Sequence, residues 1–195
     1  MDFAQNPEEA VIERFVGGGK AYYTPFVNGA YGTEYELGEV KEAKLKIAPT
    51  YIDAMGKDTG FEKKVKKALK EVTASISLST QNVNTTNMAM AMIGTVETQS
   101  FAIGDILPNG LVATEAIEIP KISAGVQPLF EGRLRIVSIN IGGDNDPVLD
   151  VPMCVITPSG DVRDYFASEF VNLAFEGEIL ESNGVYFNEY FIPKS

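Results

Sequence analysis

The chain has 195 residues, 45% of them hydrophobic, which is enough for one core and fits a single domain spanning 1–195. It has no histidine and one cysteine, which excludes imidazole-dependent triads, the usual zinc sites and an intrachain disulfide. A formal net charge of −11 argues against tight nucleic-acid binding, because neutralising phosphates takes a surplus of lysine and arginine.

Residues 1–13 are polar and acidic and read as a loosely held N-terminal arm. They lack the basic patch and apolar stretch of an export signal, so the expectation is a protein made and kept in a cytoplasm. The stretch "FVGGGKAYYTPF", Phe15 to Phe26, sets three glycines before Lys20. A phosphate-binding loop would follow the lysine with a hydroxyl, but Ala21 stands there. A dinucleotide fingerprint would continue into a helix, whereas this segment is aromatic and interrupted by Pro25. The glycines are therefore read as shaping a first strand at places where no Cβ is tolerated.

"EVKEAKLKIA" alternates, with Ala43, Leu45 and Ile47 on an inward face and Glu42, Lys44 and Lys46 on the other. Six lysines then lie between Lys57 and Lys70 against Asp58 and Glu62, a local charge of +4 that leaves −15 on the rest. Phe61, Val65, Leu69 and Val72 also fit helical spacing, but an extended loop running into a strand is preferred. "EVTASISLST" alternates again. Val72, Ala74, Ile76 and Leu78 face one way, and Thr73, Ser75, Ser77 and Ser79 face the other as a polar, uncharged face.

No charged residue occurs from Val72 to Val96, yet too many Ser, Thr, Asn and Gln fill that window for a membrane span. Within it, "NTTNMAMAMIG" predicts a short helix with Asn84 as N-cap, Met88, Ala91 and Met92 as an apolar stripe, and Gly94 closing it. The second half reads as strands: "LVATEAIEI", "LFEGRLRIVSINI", "VPMCVI", "FVNLAFEGEIL" and, after the turn "SNG", "VYFNEYFI". Cys154 sits in the third of these as a small core side chain.

Two clusters invite a chemical reading. "GGDNDPVLD" gathers Asp144, Asn145, Asp146 and Asp150, but its spacing departs from a calcium loop and Pro147 stiffens its middle. A strand-connecting turn with Asx side chains capping their own backbone fits better. Glu176 and Glu178 are two apart on a strand and share a face, too close for most acid/base pairs. No catalytic, cofactor or metal residue is assigned.

Three stretches carry a resemblance: "YELGEVKEAKLKI", "KEVTASISLSTQNVNTTNMAMAMIG", and "PLFEGRLRIVSINIGG" through "FVNLAFEGEIL". Their order is similar to the tail tube (major tail) proteins of tailed bacteriophages and related phage-tail-like particles. The matching positions are Leu37, Gly38 and Val40, then Asn84, Asn87, Met88, Ala89, Ala91 and Gly94. The resemblance implies a mainly β (α+β) fold of two packed antiparallel sheets, a sandwich or split barrel, with one short flanking helix and a long hairpin loop. It implies a non-enzymatic virion protein whose subunits close into hexameric rings and stack as the hollow tail tube for genome delivery, assembled in the bacterial host cytoplasm.

By the same resemblance, residues 48–67 are an inter-subunit loop, with Tyr51, Ile52, Met55 and Phe61 as apolar anchors and Lys57, Lys63, Lys64, Lys66 and Lys67 steering docking onto an acidic neighbour. Ser75, Ser77, Ser79, Glu176 and Glu178 are candidates for the lumen face. A wall of hydroxyls and carboxylates would let double-stranded DNA pass without gripping it, repulsion being screened beyond about 8 Å. The implied partners are further copies of the chain, a tape measure protein, baseplate and terminator proteins, and in some tails a sheath. No cofactor and no membrane insertion are implied. The alternatives are another tail component, such as a terminator or baseplate ring, and a non-viral small-ligand-binding β-barrel, which would need an apolar pocket at its mouth.

Overall fold

A computed structural model describes residues 18–56, 63–126, 129–160 and 172–194. The expected N-terminal arm, and Lys57 and Phe61 of the expected loop, lie outside the described residues. Among the described residues ten strands and one helix follow in chain order: β1 (Gly19–Val27), β2 (Ala30–Tyr31), β3 (Tyr35–Gly56), β4 (Lys63–Thr80), α1 (Thr85–Ala91), β5 (Thr95–Phe101), β6 (Ile117–Ser123), β7 (Phe130–Ser138), β8 (Asn145–Pro158), β9 (Leu173–Ile179) and β10 (Asn188–Pro193).

The fold is mainly β, with one short helix and two antiparallel sheets, of eight strands and of two. The larger sheet closes on itself in the order β8–β7–β1–β3–β4–β9 and back to β8. β8 makes closure possible because it serves three neighbours. β7 lies along one edge, while β10 pairs with its first half and β9 with its last residues. The result is a six-stranded barrel whose interior is filled by side chains such as Tyr23, Leu37, Leu134, Val151 and Phe175, each at most 2% exposed. Closure removes the pairing edges that an open sheet would expose.

The glycine run now has a local cause. A Cβ on Gly19 would lie 2.7 Å from the Val137 carbonyl oxygen, so β1 can enter the barrel beside β7 only without a side chain there. The "SNG" turn forms as expected, with Asn183 and Gly184 at positive φ between Ser182 and Val185.

The motif residues behind the resemblance meet in one place. Asn84 caps α1, its side chain accepting the Asn87 amide N–H at 2.8 Å. The Asn87 side chain is fully buried and donates to two main-chain carbonyls, Leu37 at 2.8 Å and Asn82 at 3.1 Å. Gly38, at φ +113°, packs directly against Asn82. The two asparagines and the Leu-Gly pair thus form a clamp that fastens the helix across the start of β3.

The helix ends differently from expectation. The left-handed residue is Ile93, at φ 51°, and Gly94 follows it. Gly94 N–H donates to Ala89 O at 2.8 Å and Ile93 N–H to Met90 O at 3.2 Å, the pairing of a Schellman cap. Gly94 is required for a different reason, since a Cβ would stand 2.5 Å from Ser123 O, where the chain passes β6. A β-branched residue in the left-handed region is strained by about 1–2 kcal/mol. Ile93→Gly is therefore expected to stabilise the monomer by about 1 kcal/mol, read as a higher midpoint in urea; an unchanged or lower midpoint would show that the Ile93 side chain offsets the strain.

Candidate functional site

β3 and β4 run antiparallel from Val40 opposite Thr80 to Gly56 opposite Lys63. The span expected as an extended loop, 48–67, is therefore strand wherever it is described, at 48–56 and 63–67. The helical alternative for the lysine-rich segment falls as well, since from Lys63 onward it pairs with β3 as a strand.

The two strands outrun the barrel. β1 covers the outer edge of β3 only as far as Glu39, and β9 covers β4 only from Ala74 to Thr80. Tyr186 marks the end of cover, its hydroxyl donating to Val72 O at 2.7 Å. Between Lys63 and Thr73 the ribbon has no third strand among the described residues. Those eleven positions span about 35 Å of strand at roughly 3.3 Å per residue.

This geometry corrects the inward face expected for β3. Ala43, Leu45 and Ile47 pair with Leu78, Ile76 and Ala74 and share their face, as alternation requires. Ile76 and Ala74 are 3% exposed, whereas Leu45 is 40% and Ile47 53% exposed. The difference is a matter of flanks: β4 lies between β3 and β9, while β3 beyond Glu39 is an edge. The exposed row continues outward. Tyr51 sits on the same side of β3 as Leu45 and Ile47, Leu69 stands opposite it, and the Lys67 ammonium lies 4.0 Å from the Tyr51 ring centroid. Ile52 and Leu69 are both exposed. Met55, Lys63, Lys64 and Lys66 are placed by strand register alone, near the end of the ribbon.

The candidate lumen residues are brought together. Ser75 pairs with Glu178 and Ser77 with Glu176, and Ser79 pairs with Ala174 on the same outer face. Sequence reading missed what flanks the hydroxyls. Lys46 lies opposite Ser75 and Lys44 opposite Ser77, so each row across the sheet reads lysine, serine, glutamate. Thr157 of β8, opposite Glu176, continues the Lys44–Ser77–Glu176 row by one strand. Lys44, Lys46, Ser75, Ser77, Thr157, Glu176 and Glu178 line an open groove of about 540 Å³, which Ser79 does not reach. The face is thus banded in charge rather than uniformly anionic. The signal that could have found Lys44 and Lys46 was the β3–β4 register, which periodicity alone does not supply.

The Asx cluster is dispersed among other duties. Asp150 forms a two-pronged pair with Arg133, at 2.6 and 2.9 Å, and the bond raises the affinity of the guanidinium for its proton. Asp146 accepts the Asn140 amide at 2.9 Å, and Asn140 accepts from Gly142 at 3.2 Å, the local capping expected of the turn. The Lys194 ammonium donates to the carbonyls of Asn140 and Gly143, the latter at 2.6 Å, and lies 3.9 Å from Asp146. Two of the cluster's carboxylates thus face cations, Asp150 the Arg133 guanidinium and Asp146 the Lys194 ammonium.

Burial pushes the Cys154 thiol and the Tyr35 hydroxyl each up to about 12, and Tyr23 upward as well. All three favour the neutral form in the fold, while the unfolded chain ionises from about pH 9 to 10. Their contribution is complete below pH 9 and is lost as pH rises toward 12. Urea midpoints should be flat in this respect from pH 7 to 8.5 and fall above pH 9. Cys154 should react with a thiol reagent only on unfolding, and rapid labelling of the native protein would refute this reading of its burial.

Among the described residues no helix is long and apolar enough to cross a membrane. No curated protein matches the chain. A family model covers β1 through β6, including the clamp and the whole β3–β4 ribbon. The chain belongs to the family described as Protein of unknown function UCP028589, whose model matches residues 14–127, more than half its length.

Proposed function

We propose that this protein is a self-assembling structural subunit of the tail-tube type, closing into rings and stacking as a hollow conduit, with no catalytic step. The observation that carries this reading is the β3–β4 ribbon. It extends past the barrel with both flanks unpaired among the described residues and sets Leu45, Ile47, Tyr51, Ile52 and Leu69 in water. Burying the exposed half of each such side chain on a neighbour would contribute about 1 kcal/mol, and unpaired strand edges favour addition of another strand. A lone subunit leaves both uncompensated.

The banded face of Lys44, Lys46, Ser75, Ser77, Glu176 and Glu178 suits a lumen that repeats around a ring. Alternating bands of opposite sign give DNA no continuous cationic track to bind, so passage without tight contact is compatible with them. In this reading the protein belongs in a virion tail or a related particle, beside tape measure, baseplate and terminator proteins. The filled barrel interior offers no observation in favour of a small-ligand carrier.

Sedimentation velocity across a concentration series, with negative-stain microscopy of the concentrated fractions, tests the proposal. Rings or hollow rods growing with concentration are expected. A protein that stays monomeric at millimolar concentration would overturn it.

A further inference from the structure

The β5–β6 hairpin ends in a 102–116 loop that is rigid in backbone yet apolar in surface. Its main chain is tied internally: Gly104 N–H to Ala113 O at 2.9 Å, Ala113 N–H to Asp105 O at 2.8 Å, and Leu107 N–H to Leu111 O at 2.8 Å. Asp105 closes the loop's entry by accepting the Ala102 amide at 2.7 Å. On this frame Ile103, Ile106, Leu111 and Val112 are 59% to 73% exposed, more than Leu45, Ile47, Tyr51, Ile52 or Leu69 on the ribbon. Scattered single apolar residues on a surface need no explanation, but four on one pre-ordered loop form a patch. Because the backbone is already fixed, docking onto it would cost little ordering entropy.

Charge indicates the occupant. The hairpin and its loop carry Glu97, Asp105, Glu115 and Glu118 against Lys121 alone. The 63–70 stretch of β4 carries five lysines and no carboxylate, and Leu69 on it and Tyr51 opposite are exposed. The two surfaces complement each other in sign and both are apolar at the centre. Within one chain they leave each other uncovered.

We infer that the 102–116 loop is the receptor for the β3–β4 ribbon of a second copy, a head-to-tail contact in which Ile103, Ile106, Leu111 and Val112 receive Tyr51 and Leu69. The contact rests on the self-assembly reading and names its partner surface. A head-to-tail contact between two different patches generates rings or filaments rather than closed pairs. The surrounding charges set orientation and encounter rate, while the aliphatic centre supplies the affinity.

Photo-crosslinking tests this in the full chain. Benzoyl-phenylalanine is placed at Ile106, and equal amounts of isotope-labelled and unlabelled protein are mixed, irradiated and digested. Mixed-isotope crosslinks to residues 48–56 or 63–73 are expected, and Ile106→Asp with Leu111→Asp should raise the assembly concentration at least about tenfold with unchanged circular dichroism. Crosslinks to any other segment of a second copy, or none in a sample that sediments as oligomers, would overturn the receptor assignment and leave self-assembly standing. A strictly monomeric sample would overturn both.

Discussion

Gly38→Ala is expected to destabilise the protein by about 3 kcal/mol or more, lowering its melting temperature by about 10 °C. Two costs combine. At φ +113° the backbone is in a region that L side chains rarely adopt, which costs about 1–2 kcal/mol. The new methyl would also stand 2.1 Å from the Asn82 Cβ and 3.1 Å from its amide nitrogen, and neither can swing aside as a flexible side chain could. Asn82 also offers its carbonyl to Asn87, so displacing it loosens one of the two hydrogen bonds by which the Asn87 side chain fastens α1 beside the start of β3. Gly29→Ala provides the comparison. Gly29 is also at positive φ, but a Cβ there meets nothing within 4 Å, so only the conformational cost applies. Thermal unfolding of both variants separates the two terms; equal melting temperatures would show that the Asn82 contact does not constrain Gly38.

The second large effect concerns assembly instead of folding. Ile47→Asp combined with Leu69→Asp should leave the monomer's melting temperature within a few degrees of the parent, because both positions are more than half exposed. The same pair should raise the concentration needed for assembly by about a hundredfold or more, since two buried aliphatics and two desolvated carboxylates each weigh against the contact. Sedimentation of the variant beside the parent is the measurement. Assembly at the parental concentration would remove the ribbon from the interface, whereas a collapse of the melting temperature would mean that these residues serve the monomer's own core. Raising salt should weaken assembly only partly, because screening acts on the lysines and carboxylates and not on the aliphatic contacts.

Local features were legible in the residues themselves. Asn84 as a cap and the turn at Asn183–Gly184 each depend on a few neighbours in sequence, and both form as expected; of the Met88, Ala91 and Met92 stripe the first two are buried, Met92 is half-buried at the C-cap, and Ala89 and Met90 are buried beside them. The alternation of β4 was equally plain, because Ala74, Ile76 and Leu78 lie in the middle of the wall where both neighbours are present. The same alternation in β3 gave the correct face and the wrong burial. Period two says which side chains share a side, and nothing about whether a further strand covers them.

The Ile93 cap and the 102–116 loop illustrate another limit. Gly94 looked like the helix stop because glycine is the usual left-handed residue, yet its missing side chain is needed for the approach of Ser123, some thirty positions further along the chain. Leu111 and Val112 of the loop fall in the expected strand "LVATEAIEI", but the strand begins only at Ile117 because the preceding residues bond to one another across the loop.

The amino-acid order alone determined the strand-rich class, the helix capped by Asn84, the absence of histidine and the sidedness of β3 and β4, since these follow from composition and from contacts a few residues apart. The tertiary structure decided that the sheet closes through β8, that the β3–β4 ribbon leaves the barrel, and that lysine, serine and glutamate align in rows. The physical reason is range. Pairing partners separated by a hundred residues are chosen by register and burial across the whole domain, and no local pattern encodes which flank will be left bare.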